Sequence, residues 1–170
     1  MKYFTIPELT RSYTASKKGI DNTPSTEIKV HLIELIENLL DPVRHKWGEK
    51  CKKMGWGTGA LVVSSGYRSP KLNSAVGGAT NSAHLYGYGA DIVPSNGRIT
   101  DFKKWLINEF LSENKYVKYD QIILEKSRTS QWVHFGYKYR NTGNPNTVVC
   151  RVNAAFVLLE HLNSTREVFH

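Results

Sequence analysis

The sequence lacks several features that would each point to a familiar class of protein. It has only two cysteines in 170 residues, Cys51 and Cys150, and no Cys-x-x-Cys spacing, so a thiolate metal site is not supported. It has no run of about 18 apolar residues, so we expect no membrane insertion. The helical pattern His-Glu-x-x-His is also absent, which excludes the hydrolases built on it. Whether Cys51 pairs with Cys150 stays open at this stage.

The N-terminus and the net charge indicate where the protein is made and what class of partner it binds. The first ten residues are polar and include Pro7 and Glu8, so they lack the apolar core of a signal peptide. We therefore expect synthesis in the cytoplasm, with any action outside the cell following release or lysis. The net charge of +8 favours an anionic partner. Because the basic residues are scattered and no nucleic-acid motif is present, we expect an acidic polymer and no nucleic acid.

No repeat, low-complexity tract or Pro/Gly-rich linker divides the chain, which predicts one globular domain over residues 1–170. The opening 22 residues are expected to be irregular. Apolar residues at helical spacing follow Thr23-Pro24, and Asp41-Pro42 restarts the pattern for a short turn that we expect to end at Gly48.

Further along, helices and strands are indicated by caps, prolines and β-branched runs. Helices are expected to begin at Ser69-Pro70 and Thr100 and to span 154–162, and strands are expected at 60–64, 90–93, 121–124, 131–137 and 147–152. Helices come first and strands later, without strict alternation, which favours an α+β fold over a doubly wound sheet.

Two of the six histidines lie where the backbone fixes the direction of the side chain. His84 precedes Asp91 by seven residues, and Gly87 and Gly89 between them allow a sharp turn. His134 lies within a predicted strand that a hairpin could bring beside Asp91. Two imidazoles and one carboxylate leave zinc a fourth position for water, whose pKa the ion lowers to roughly 7. Two histidines and an aspartate are common in a chain of this length, so on spacing alone they are more often structural residues than metal ligands.

Three ordered motifs give a more specific indication. Ser82 to Asp91 resembles the Ser-x-His-x-x-Gly-x-Ala-x-Asp signature of the zinc D,D-peptidases, with Gly89 where that family usually has alanine. Upstream, Ser65 to Asn73 is similar to the family's Ser-Gly-Tyr-Arg-Ser-Pro segment with its following Leu-Asn. Downstream, Trp132-Val133-His134 is similar to the segment around the last ligand. The resemblance covers about residues 4–137, and 138–170 forms a C-terminal extension without a match.

The resemblance implies a fold of the hedgehog/D,D-peptidase type, with a small antiparallel sheet and helices packed on it. It implies zinc held by His84, Asp91 and His134, and it implies that Arg68 faces the site. A fixed guanidinium there could bind an oxyanion or a carboxylate of the substrate. The alternative for Arg68 is a structural role in clamping its loop.

The general base is less clear. Many family members carry Glu or Asp three residues before the last histidine ligand, where this chain has Gln131. Gln cannot accept a proton, so we predict that Glu125, at the end of the preceding strand, takes this role. If Glu125 points away from the site, the domain would bind zinc without cutting anything.

Other residues near the motifs have supporting roles in this interpretation. Ser82 is expected to support a ligand through a hydrogen bond. Tyr67, Tyr86, Tyr88 and Tyr137 either line a groove for a peptide or pack in the core.

The function that this resemblance implies is zinc-dependent hydrolysis of an amide bond in peptidoglycan stem peptides. The enzyme would be a D,D-carboxypeptidase or an L,D- or D,D-endopeptidase, acting as a monomer. The lack of a signal peptide and the basic charge favour a phage or prophage lysis enzyme, and a host enzyme of wall recycling is the alternative. The main alternative is a catalytically silent zinc module that binds wall peptide or a protein partner. A third hypothesis is a basic nucleic-acid binder, which predicts salt-sensitive binding to DNA that persists in the presence of a chelator.

Overall fold

The structure, a computed structural model, describes residues 1–113 and 117–138 and the backbone of residues 147–152 and 155–158. The helices are α1 (Ile6–Thr10), α2 (Tyr13–Lys18), α3 (Thr26–Leu35), α4 (Asp41–Lys53), α5 (Pro70–Ala75), α6 (Ile99–Trp105) and α7 (Leu111–Glu113). The strands are β1 (Leu61–Ser65), β2 (Gly89–Pro94), β3 (Gln121–Lys126), β4 (Gln131–Gly136), β5 (Thr147–Val152) and β6 (Ala155–Leu158). Within the described residues, no helix is long and apolar enough to cross a membrane.

The opening segment is helical, so the expectation of an irregular N-terminus is wrong. The Thr5 hydroxyl accepts a hydrogen bond from the Glu8 N–H, and the Glu8 carboxylate accepts one from the Thr5 N–H. This capping box stabilises α1 although the helix has only five residues. Ser12 caps α2, which ends at Gly19 in a left-handed conformation with φ of +58°.

Helices α3 and α4 form one long helical segment, joined by the π-helical turn Ile36–Leu40. Pro42 is the second residue of α4 and directly follows the π-helical turn. The expected end at Gly48 is wrong, because α4 continues to Lys53. A side chain at Gly48 would meet the carbonyl oxygen of Thr58 at 3.3 Å. The glycine therefore lets a loop pack closely against the helix.

The six strands form one sheet in the order β1-β2-β4-β3-β5-β6. Strands β1, β2, β4 and β3 pair antiparallel, and β3 and β4 form the expected hairpin. This confirms the α+β class and a small antiparallel sheet of four strands. Strand β5 pairs parallel with β3, so the sheet as a whole is mixed. The helix expected over 154–162 is wrong where it is described, because Ala155–Leu158 is strand β6.

Helices α3, α4 and α6 pack on one face of the sheet. Trp47 of α4 contacts Phe102 of α6 edge-on, with ring centroids 5.1 Å apart, and Phe102 lies 6.5 Å from Phe135 of β4. Cys51 is a buried free thiol in α4, and the side chain of Cys150 lies outside the described residues. Side chains alternate along a strand, so the residues between the core positions of β2 and β4 point to the opposite face.

Candidate metal centre

Asp91 and His134 lie directly opposite each other on the neighbouring strands β2 and β4. Cross-strand partners of this kind point to the same face of a sheet. Their neighbours Ala90, Ile92 and Phe135 are fully buried in the core on the other face. Strand alternation therefore places the Asp91 carboxylate and the His134 imidazole side by side on the face opposite α4 and α6.

His84 reaches this point from a 3₁₀ turn, Ala83–Tyr86, just before β2. The Ser82 hydroxyl caps the turn and accepts a hydrogen bond from the His84 N–H at 3.4 Å. Gly87 ends the turn with a φ of +72°, a conformation that glycine adopts without strain. A Cβ at Gly89 would lie 2.8 Å from the backbone nitrogen of His84, so the turn folds back closely onto β2 at this residue.

The three side chains converge on one point. His84 Nε2 lies 3.3 Å, and His134 Nδ1 2.9 Å, from Asp91 Oδ1. The three candidate ligand atoms are all within 4.8 Å of one another. Only 3% of His84, 8% of Asp91 and 7% of His134 is exposed. Buried charged groups are normally paired or bound to a metal, and this set has the size and the donors of a zinc site.

A backbone carbonyl fixes the orientation of the His84 ring. The Nδ1–H of His84 donates to the Gly66 oxygen at 2.6 Å, which leaves the Nε2 lone pair directed at Asp91. Metal-binding histidines are typically held in this way through their second nitrogen. Gly66 packs directly against the Leu9 backbone, and a Cβ at this position would clash with the Leu9 oxygen. Sequence reasoning missed this contact, although Gly66 belongs to the motif that contains Arg68.

Arg68 lies at the site, and its contacts show how it is held. Its Nη2 donates to Asp91 Oδ2 at 3.0 Å, and its Nε donates to the Ser65 hydroxyl at 2.9 Å. The guanidinium thus holds the carboxylate oxygen that does not face the histidines. Both roles considered for Arg68 fit this position, since it clamps its loop and presents a fixed cation at the site.

The protonation states suit a metal ligand set. Burial lowers the pKa of His84 more than the neighbouring Asp91 raises it, so the imidazole stays neutral. Burial raises the pKa of Asp91, but His84 and His134 outweigh that effect and hold it well below its usual range. A neutral imidazole and an ionised carboxylate are the forms that bind zinc.

Glu125 lies on the same face of the sheet as the cluster. Ile123 pairs with His134, and Glu125 pairs with Trp132 two residues further along. Diagonal neighbours of this type, here Glu125 and His134, lie about 7–8 Å apart. Gln131 occupies the other face, where its Oε1 accepts a hydrogen bond from Lys103 Nζ at 3.1 Å.

The tyrosines near the motifs do not form one groove. The Tyr88 hydroxyl donates to Glu34 at 2.9 Å, and its ring stacks on His31 with centroids 4.2 Å apart. Tyr137 packs against Tyr88 with centroids 6.1 Å apart. The groove role predicted for Tyr88 does not fit, because it packs on α3 on the core side. Tyr67 is buried, with 8% of its surface exposed, whereas Tyr86 is 42% exposed and open to solvent.

Two buried histidines and an aspartate around one centre match the three-ligand sets of catalytic zinc sites, which keep a fourth position for water. The family model described as peptidase M15 matches residues 2–134, and the chain belongs to this family. A stretch of 53 residues is 42% identical to the zinc D-Ala-D-Ala carboxypeptidase of Streptomyces albus G. It covers 31% of this chain and only 17% of that protein.

These similarities confirm the expected zinc D,D-peptidase family and support a metallopeptidase. Together with the donor set, they also confirm zinc as the predicted cofactor. The roles of individual residues stay predictions at this level.

Proposed function

We propose that the chain hydrolyses an amide bond in the peptide stems of peptidoglycan, on a fold of the hedgehog/D,D-peptidase type. The observation that carries this proposal is the buried cluster of His84, Asp91 and His134 with Arg68 bound to its carboxylate. The family match and the carboxypeptidase relative point to the substrate class. The net charge of +8 suits an anionic wall and a role in lysis, with the chain acting as a monomer.

In this proposal, His84 Nε2, His134 Nδ1 and the Asp91 carboxylate would hold the zinc ion. Bound zinc polarises a carbonyl oxygen and makes water acidic enough to yield hydroxide near neutral pH. The contact from Gly66 keeps the His84 lone pair available, and the contact from Arg68 keeps Asp91 in one orientation.

Glu125 and Arg68 would supply the remaining chemistry. The Glu125 carboxylate takes a proton from the attacking water and returns it to the leaving amine as the C–N bond breaks. The Arg68 guanidinium donates hydrogen bonds to the oxyanion that forms on the substrate. Its Nη1 contacts no acceptor among the described residues, which leaves this nitrogen for the substrate.

A silent zinc module is the second candidate, and the amide of Gln131 at the usual acidic position is the observation that favours it. Such a module would bind wall peptide or a protein partner without cutting it. In that case zinc would be retained while no amide bond is broken.

Digestion of purified peptidoglycan tests the proposal directly. The zinc-loaded chain is expected to release new amino groups, and mass analysis of the fragments identifies the bond that is cut. Treatment with a chelator should abolish release, and added zinc should restore it. An absence of new amines with the fully zinc-loaded chain would refute hydrolysis and leave the binding module.

A further inference from the structure

A cleft adjoins the candidate metal centre. It has a volume of about 580 Å³ and lies between the α1–α2 region and the end of β1. Pockets of about 300–1,000 Å³ are typical of small-ligand sites. Its lining includes Arg11 and Tyr13 on one side and the segment from Val63 to Arg68 on the other. The size and position are those of a binding site for part of a substrate.

The cleft and the metal centre share residues. Arg68 lines the cleft and donates to Asp91 Oδ2 at 3.0 Å. Gly66 also lines the cleft, and its carbonyl accepts the hydrogen bond from His84 Nδ1 at 2.6 Å. A ligand that fills the cleft therefore ends beside the residues that would hold zinc. One peptide could occupy both places.

The charge of the lining is of one sign. It includes two arginines and no aspartate or glutamate. Arg68 is paired with Asp91, whereas the exposed Arg11 side chain makes no hydrogen bond or ion pair with any described residue. The cleft therefore contains an uncompensated cation at Arg11. A guanidinium suits a carboxylate, which it can bind through two parallel hydrogen bonds.

Hydroxyl groups complete the lining. Five serine and threonine residues border the cleft, namely Ser12, Thr14, Ser16, Ser64 and Ser65. Hydroxyls both donate and accept hydrogen bonds, so they can satisfy peptide amides whatever the side chain. The combination favours an anionic peptide over an apolar one.

We propose that this cleft binds the carboxylate-bearing part of the stem peptide, and that Arg11 selects the free carboxylate of its D-glutamyl residue. This inference rests on the proposed function, because that function supplies the peptide substrate. It adds a specificity residue from the N-terminal segment, outside the zinc ligands, Arg68 and Glu125.

The test uses two peptides that differ by one group. The tripeptide amide L-alanyl-γ-D-glutamyl-L-lysinamide carries one free carboxylate, the α-carboxylate of its D-glutamyl residue, and its twin carries a carboxamide there. Calorimetric titration of the zinc-loaded full chain should show tighter binding of the acid by about five- to ten-fold, as expected for one charged hydrogen-bonding contact at a partly exposed site. Mass spectrometry after each titration checks that the peptides are intact.

Variants of Arg11 test whether this side chain causes the preference for the acid peptide. Arg11→Ala should bind the acid and the amide equally, at the affinity of the wild type for the amide. Arg11→Lys should retain part of the preference, since it keeps the charge but not the planar fork. Lys53→Ala removes an exposed charge at the end of α4, away from the cleft lining, and should behave as the wild type.

The outcomes separate this inference from the hydrolysis proposal. If Arg11→Ala keeps the full preference, or if the wild type binds neither peptide, the assignment of the cleft is overturned even where the chain digests peptidoglycan. If Arg11 sets the preference but no digestion occurs, the cleft assignment stands and the hydrolysis proposal fails.

Discussion

Replacing Glu125 with Gln separates zinc binding from catalysis. The substitution keeps the shape of the side chain and removes its ability to accept a proton. Because Glu125 pairs with Trp132, and His134 pairs with Ile123, Glu125 shares a face with the zinc ligands without being one of them. We therefore expect zinc to be retained at one ion per chain while activity falls.

The expected size of the effect follows from the role. A positioned general base contributes about 10²- to 10⁴-fold to a rate. This corresponds to about 2.7–5.4 kcal/mol of transition-state stabilisation. The assay compares kcat/KM for release of amines from peptidoglycan with the zinc content by elemental analysis, and thermal unfolding checks the fold. Loss of kcat/KM with unchanged zinc would support the enzyme.

Gln131 provides the matched control. Its side chain lies on the opposite face and accepts a hydrogen bond from Lys103. Gln131→Glu in the Glu125→Gln background should therefore not restore activity, because the new carboxylate would pair with Lys103. Full activity of zinc-loaded Glu125→Gln would remove Glu125 from the mechanism, and rescue by Gln131→Glu would show that the assigned faces of β4 are wrong.

Two further substitutions test residues around the metal centre. Gly89→Ala places a Cβ 2.8 Å from the backbone nitrogen of His84, so we expect zinc affinity to fall by about ten-fold or more. An unchanged affinity in a chelator competition would contradict this. Tyr88→Phe removes the hydrogen bond to Glu34 and should lower the free energy of unfolding by about 1 kcal/mol at pH 7. Burial raises the pKa of Glu34, but the bonds from Tyr88 and Lys138 lower it below its ordinary value of 4.5. The stabilisation that ionised Glu34 gains from these bonds is present above pH 4.5 and is lost as the pH falls through the lowered pKa. The difference in the free energy of unfolding between Tyr88→Phe and the wild type, measured in urea, should therefore shrink near pH 3. An equal difference at both pH values would exclude the ionised Glu34 as its source.

Local rules account for how His84, Asp91 and His134 come together, whereas their role as zinc ligands was implied by the resemblance and stays a prediction. Gly87 and Gly89 indicated a tight turn between His84 and Asp91, and the structure places a 3₁₀ turn there. Strand alternation then fixes the face of Asp91, and hairpin pairing of β3 with β4 was readable from the polar loop between them. Each of these steps depends on residues that are close in the chain.

The features that sequence analysis missed depend on contacts between distant segments or on very short elements. Helix α1 has five residues, too few for apolar periodicity, although Thr5 and Glu8 form its capping box. The packing of the loop at Thr58 against Gly48 of α4 is not a local pattern. The parallel pairing of β5 with β3 joins strands that β4 separates along the chain. The contact of Gly66 with His84 likewise required the tertiary fold.

The positions of Gln131 and Glu125 show why a zinc site and its base can vary independently. In a regular strand, a residue three positions before a ligand points to the opposite face, and Gln131 accordingly contacts Lys103 of α6. A residue on the neighbouring strand, diagonal to His134, points to the same face. The pairing of β3 with β4 can therefore present a carboxylate from β3 without any change in the ligands. Gln131 favours the silent module only where no other carboxylate reaches the site, and Glu125 lies on the face that carries His134.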